Sequence, residues 1–146
     1  MSSKRLQQAL IRTLNKLNGK SLRLEDVADP SILQCTVIFE FGIAETNNFT
    51  YLDDAETNKA FEAINKSPFK VIDVYCAVRY YKLQNKRKTP LKFDYYMIRF
   101  LFDKKILEML VFHERGPRYM APSDIINFIA NEINGEFSKK VLKPLT

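Results

Sequence analysis

The stretch VIDVYCAVRYYK, residues 71–82, carries the pattern that decides the fold. Two sets of side chains alternate along it: Ile72, Val74, Cys76, Val78 and Tyr80, and between them Asp73, Tyr75, Ala77, Arg79 and Tyr81. Because successive side chains of a strand point to opposite faces, this period predicts a β-strand with one buried face. The pattern therefore predicts a sheet that is covered on one side.

Two more strands are predicted after this one. FDYYMIRFLF, residues 93–102, alternates in the same way, and the polar break Asp103-Lys104-Lys105 then precedes ILEMLVFHE, residues 106–114. The segment LQNKRKTPL, residues 83–91, is predicted to be a loop between the first two strands. Strands joined in sequence by short connections favour antiparallel pairing.

The other segments predict three helices and a further hairpin. ILQCTVIFEFGI, residues 32–43, and FTYL, residues 49–52, supply the hairpin. Capping and stop signals set the helix boundaries. These are an N-cap at Ser3 with a stop at Asn18-Gly19, a capping box from Asp53 to Glu56 with a stop near Ser67-Pro68, and a start at Pro122 with a stop at Asn134-Gly135.

This order of elements, α-β-β-α-β-β-β-α, predicts the α+β class: an antiparallel sheet of about five strands with helices packed on one face. A chain of 146 residues has the usual size of one domain, so residues 1–146 are predicted to form a single domain. Apolar residues make up 46% and charged residues 27%, the balance of a globular protein and not of a disordered one.

The sequence also indicates in which cellular compartment the protein is expected. The longest apolar runs are far shorter than a membrane span of about 20 residues, and the polar N-terminus lacks the apolar region of a secretory signal. We therefore expect no membrane association and an intracellular protein, cytoplasmic or nuclear. Cys35 and Cys76 lie within predicted strands, where a free, buried thiol is more common than a disulfide.

The net charge of +6 is unevenly distributed along the chain. Residues 1–23 hold six bases and no acid, whereas residues 25–62 hold nine acids and one base, Lys59. Between Asp73 and Asp94 a second basic run holds no acid: Arg79, Lys82, Lys86, Arg87, Lys88 and Lys92. The asymmetry predicts one basic and one acidic face.

The second basic run suggests a nucleic-acid-binding surface, with either DNA or RNA as the partner. Lysines and arginines neutralise phosphates, and flat side chains stack on bases. The predicted contacts are Lys82, Lys86, Arg87, Lys88 and Lys92 from the loop and the residues that flank it, Arg79 and Arg99 as backbone clamps, and Tyr75, Tyr81 and Tyr95 as stacking platforms. Tyrosine and arginine are equally typical of a protein interface. The alternative is therefore an interaction subunit or adaptor that binds an acidic protein surface, as part of a homo- or hetero-oligomer.

A second candidate segment is FHERGPRYMAPSD, residues 112–124, at a strand-to-helix junction. Arg115 and Arg118 could hold an anion there, and they are included among the predicted nucleic-acid contacts. His113 is the one histidine, but its neighbour Glu114 should point to the opposite face of the strand, so the two should not share a substrate atom. We therefore expect no catalytic role for this segment.

Metal, cofactor and catalytic signatures are weak throughout the sequence. One histidine and two separated cysteines do not provide clustered metal ligands, and the glycines at 19, 42, 116 and 135 form no phosphate-binding loop. The sequence thus predicts a non-catalytic protein with no metal and no cofactor.

Overall fold

A computed structural model describes residues 2–28, 35–45, 48–84, 87–103 and 106–143. Within these ranges the chain forms three α-helices and six strands. The helices are α1 (Ser3–Leu17), α2 (Asp54–Lys66) and α3 (Pro122–Asn134). The strands are β1 (Ser21–Arg23), β2 (Cys35–Glu45), β3 (Asn48–Tyr51), β4 (Val71–Gln84), β5 (Arg87–Asp103) and β6 (Ile106–Arg115). The predicted α+β class is confirmed.

The strands form one antiparallel sheet in the order β1-β2-β4-β5-β6, and β3 pairs with the far end of β2. Across the centre of the sheet, Phe41 pairs in register with Cys76, Cys76 with Tyr96, and Tyr96 with His113. The short strand β1 lies in the connection after α1, where no strand was predicted. Its three residues are too few to show an alternating pattern.

All three helices cover the same face of the sheet. The core that they share with the strands contains Leu10 and Leu14 from α1, Ile64 from α2, and Ile125 and Ile129 from α3. The core also includes the predicted buried side of β4, together with Phe39 and Phe41 of β2 and Tyr96, Ile98 and Phe100 of β5. The opposite face of the sheet carries no helix in the described part of the chain, and we call it the open face.

The helix starts follow their capping signals. The Asp53 carboxylate accepts the Glu56 amide at 2.8 Å and so begins α2, as predicted. Helix α1 begins one residue earlier than predicted, because the hydroxyl of Ser2, not that of Ser3, accepts an amide of the first turn, that of Arg5, at 3.2 Å. Among the described residues, no helix combines the length and apolar character required to cross a bilayer.

The segment predicted as a loop, residues 83–91, is mostly strand. Strand β4 continues to Gln84 and β5 begins at Arg87, whereas, among the described residues, β2 pairs with β4 only as far as Lys82. Beyond Lys82 the two strands therefore extend past the body of the sheet as a two-stranded projection. We call residues 81–84 and 87–92 the basic ribbon. Main-chain pairing continues there without a buried face, which is why side-chain periodicity did not predict it. Pro90 is tolerated because β6 ends before this point, leaving β5 at the edge.

Candidate interaction surface

The open face is built by the second set of alternating side chains in the central strands. Since the even-numbered residues of β4 and β5 point into the core, their odd-numbered neighbours point away from the helices. The open face comprises Ile38 and Glu40 of β2; Val71, Asp73, Tyr75, Ala77, Arg79 and Tyr81 of β4; Phe93, Tyr95, Met97, Arg99 and Leu101 of β5; and Ile106, Glu108, Leu110 and Phe112 of β6.

The open face brings together five of the predicted site residues. Tyr75, Tyr81 and Tyr95 are each half-buried by their neighbours in the sheet. Arg79 lies between Tyr75 and Tyr81 along β4, and Arg99 lies beyond Tyr75, opposite Asp73. No described helix covers these rings, so the prediction that they lie on an uncovered sheet face agrees with the structure. Their neighbours, however, are more apolar than the sequence analysis emphasised.

Large apolar side chains are concentrated on the open face. Seven such side chains are strongly exposed among the described residues. Four of the seven lie on this one face: Val71 at 42%, Phe93 at 47%, Ile106 at 53% and Phe112 at 46%. Exposed apolar groups that gather on one face mark a surface that another molecule covers.

Both arginines of the open face are already paired with carboxylates. Arg79 Nε lies 2.7 Å from Glu40 Oε1. Arg99 makes a two-pronged contact with Asp73, with Nε to Oδ1 at 2.8 Å and Nη2 to Oδ2 at 3.0 Å. The hydrogen bond and charge of Asp73 raise the pKa of Arg99. A phosphate that approached either guanidinium would therefore compete with a carboxylate that already occupies it.

The basic ribbon carries the free positive charge at one end of the sheet. Lys82, Arg87 and Lys92 are exposed, and no carboxylate in the described part of the chain forms an ion pair with them. Lys86 and the side chain of Lys88, both predicted contacts, lie outside the described residues. Arg115 pairs in register with Tyr95 and is exposed at the same end of the sheet, as is Arg118 in the next loop.

The bases of α1 lie on the other side of the molecule, in the helix layer, whereas Arg23 lies in the sheet, in β1 opposite Thr36 of β2. Lys16 Nζ contacts Glu136 at 3.0 Å, and the Arg5 guanidinium lies 5.4 Å from the centre of the Phe137 ring. Both side chains therefore help to hold the segment after α3 against α1. The bases of α1 therefore lie apart from the basic ribbon, and Arg23 in the sheet is paired with Glu25 and Asp26.

Sequence reasoning missed a buried carboxylate, Asp94, at the base of the basic ribbon. Its side chain is fully buried and contacts four groups. Oδ2 accepts hydrogen bonds from the Tyr80 hydroxyl at 2.7 Å and the Tyr119 amide at 2.9 Å. Oδ1 accepts the Arg118 amide at 2.6 Å and lies 2.9 Å from His113 Nε2. A signal for it existed, because position 94 shares the buried side of its strand with residues 96, 98 and 100.

This network fixes the loop between β6 and α3 to the sheet. Three of the four contacts are hydrogen bonds donated to the carboxylate, by the Tyr80 hydroxyl and by the amides of Arg118 and Tyr119, and the two amides belong to that loop. Burial, followed by the hydrogen bond to Asp94, raises the pKa of Tyr80. The Tyr96 hydroxyl donates to the Met120 carbonyl at 2.6 Å, and burial raises its pKa as well. The arrangement is suited to anchoring a loop.

The described residues contain no group of three or more His, Cys, Asp or Glu side chains placed to hold a metal ion. Cys35 and Cys76 are free and buried, as predicted, and burial raises the pKa of both thiols. No protein-family model, curated protein or solved structure matches this chain.

Proposed function

We propose that this chain is a non-catalytic interaction subunit that binds another protein through the open face of its sheet. The observation that carries the proposal is the contrast within that face: Phe93, Phe112 and their apolar neighbours are exposed, while Arg79 and Arg99 are already neutralised. Covering a face of this kind with a partner is favourable because it removes apolar surface from water. The face also offers little net charge to a phosphate backbone.

The composition of the open face supports a protein partner. Aromatic residues, methionine and arginine are enriched in protein interfaces, and lysine is depleted. The open face carries phenylalanines, tyrosines, Met97 and two arginines, and its list of residues contains no lysine. The paired arginines present flat, partly apolar surfaces beside the rings, which a partner can cover without leaving an unpaired charge.

The size of the open face is also adequate. Four strands spaced about 4.8 Å apart and ten residues at about 3.3 Å each give a projected area of about 600 Å². The accessible area of such a rough surface is larger than its projection. A standard protein interface buries about 800 Å² on each partner, so the open face can supply most of one.

The basic ribbon further defines the expected partner. It projects from the end of the open face with several cations and no carboxylate between residues 81 and 92. A complementary partner would carry an apolar patch with acidic groups beside it. This agrees with the acidic protein surface considered in the sequence analysis.

Nucleic-acid binding is the second candidate, and the basic ribbon is the observation that favours it. Lys82, Arg87 and Lys92 are exposed and unneutralised, and Tyr81 lies at the base of the ribbon. A single strand could contact the ribbon through phosphates and stack on Tyr81. The acids that hold Arg79 and Arg99 disfavour extension of this contact over the whole sheet.

One pair of variants tests the primary proposal. Phe93→Lys places a charge on the open face, and Phe69→Lys is its matched control, because Phe69 has similar exposure, 43% against 47%, outside the open face. We expect a protein captured by the wild-type chain to be retained by the Phe69→Lys control and lost by Phe93→Lys. Equal retention by both variants would contradict binding through the open face.

A charge-reversal variant separates the second candidate from the first. The triple change Lys86→Glu, Arg87→Glu and Lys88→Glu reverses three consecutive charges of the second basic run. Anisotropy titrations with labelled single-stranded DNA and RNA at two salt concentrations would measure its effect. Salt-sensitive binding that disappears in the triple variant and survives Phe93→Lys supports nucleic-acid binding by the ribbon. No binding by the wild-type chain at low salt eliminates that candidate.

A further inference from the structure

Strand β6 lies at an edge of the sheet but has the sequence of a central strand. Six of its ten residues are apolar, in the nearly continuous run ILEMLVF, which is typical of strands covered on both faces and paired on both sides. Yet none of its residues is buried. In the described part of the chain β6 pairs only with β5.

The two edges of the sheet differ in the length of their strands. The edge next to β2 is occupied by β1 and β3, which have only three and four residues, and short edge strands resist unwanted pairing. Strand β6 has ten residues, no proline, and one register irregularity, near its C-terminal end. Over residues 106–112, where its apolar side chains lie, its one protective feature is the charge of Glu108.

We propose that β6 pairs with β6 of a second copy of this chain, antiparallel and about a twofold axis that passes through Met109. The proposal concerns the edge of the sheet and does not depend on the partner proposed for the open face. Antiparallel pairing of identical strands is self-complementary, so each copy supplies the same surface and the assembly closes as a dimer.

The register follows from which side chains meet. In a twofold antiparallel pair, residues at equal distances on either side of the axis lie opposite each other and share a face. With the axis at Met109, the cross-strand pairs are Ile106 with Phe112, Leu107 with Val111, Glu108 with Leu110, and Met109 with its own copy. The two most exposed apolar side chains of β6, at 53% and 46%, then cover each other on the open face.

Neighbouring registers are less favourable. An axis at Leu110 would place Ile106 opposite Glu114 and Phe112 opposite Glu108, so that both exposed apolar side chains would face carboxylates. An axis at Val111 would place Glu108 opposite Glu114, and like charges directly opposite each other are destabilising. The axis at Met109 avoids both arrangements, and this supports a second copy as the occupant of the edge.

An exchange of charges tests both the dimer and its register. In the variant Ile106→Lys with Phe112→Lys, the introduced lysines would face each other across the strand pair at two symmetric positions. In the variant Ile106→Lys with Phe112→Glu, the same positions would hold opposite charges. Both residues are exposed in the single chain, so either variant should fold, which circular dichroism would check.

Sedimentation equilibrium would measure the mass of each variant. The wild-type chain should approach about 34 kDa, twice its 17.1 kDa, as concentration rises. The lysine–lysine variant should have a dissociation constant at least about tenfold larger, and the lysine–glutamate variant should recover association that weakens with added salt. A wild-type chain that stays monomeric, or a lysine–glutamate variant no better than the lysine–lysine variant, would overturn the proposal.

Cysteine cross-linking gives an independent measure of the register. Met109→Cys would place two thiols opposite each other at the axis, whereas Glu108→Cys, its neighbour, would face Leu110. Under mild oxidation we expect a covalent dimer from the first variant and little from the second. The native Cys35 and Cys76 are buried and should not interfere. Equal cross-linking of both variants would contradict the proposed register. If Met109→Cys does not fold, the charge exchange decides the question alone.

Discussion

Replacing Asp94 by alanine should destabilise the protein strongly while leaving its surface unchanged. The substitution removes a fully buried carboxylate that contacts the Tyr80 hydroxyl, two main-chain amides and His113. Leaving the buried Tyr80 hydroxyl without its acceptor costs about 1–3 kcal/mol of stability. The same loss costs about 1 kcal/mol for each amide, because water can partly reach it. We therefore expect the free energy of unfolding to fall by about 3–5 kcal/mol, as for other broken buried networks.

Urea unfolding, with a comparison of m values, would measure this loss. Hydrogen exchange would follow the Arg118 and Tyr119 amides, which should lose protection because their acceptor is gone. Tyr80→Phe is the matched control, since it removes one donor and leaves the carboxylate with its other three contacts; its loss should be well below that of Asp94→Ala. If Asp94→Ala costs less than about 1 kcal/mol and both amides stay protected, the anchoring role is refuted.

Three further predictions concern a turn glycine, a buried tyrosine and the two buried cysteines. Gly116→Ala should cost about 1–3 kcal/mol in chemical unfolding, since φ is +107° and an added Cβ would overlap the Phe93 carbonyl oxygen. Stability should fall as pH rises above about 10, because the pKa of Tyr80 is raised in the folded state and the unfolded chain releases that proton first; Tyr80→Phe should make the decline shallower in unfolding curves recorded across that range. A thiol reagent should label Cys35 and Cys76 only after denaturation, as both are buried and free; rapid labelling of the native protein would contradict this.

Much of the fold could be predicted because local patterns and tertiary packing agree. The alternation in residues 71–82 correctly separated the buried side of β4 from the open face. Asp53 and Pro122 marked the starts of two helices at the observed positions. Strand β1 and the basic ribbon escaped prediction, because three residues show no period and a projecting strand pair has no buried face to impose one.

The candidate site was predicted in part. Tyr75, Tyr81 and Tyr95 lie on an uncovered face, as their alternation with buried residues required. Nothing along the chain indicated that Arg79 and Arg99 would be paired with Glu40 and Asp73. Glu40 comes from β2, nearly 40 residues before Arg79, and Asp73 comes from β4, 26 residues before its register partner Arg99. Only the strand register places each acid beside its arginine.

By itself, the sequence determined the class of fold and which side of each central strand is buried. Those properties depend on periodicity and on capping groups a few residues apart, so short segments of the chain determine them. The tertiary structure decided which charges remain free and which edge of the sheet is exposed. Neutralisation of a charge and burial of a strand both depend on neighbours that are distant in sequence, and these become neighbours only when the sheet is assembled.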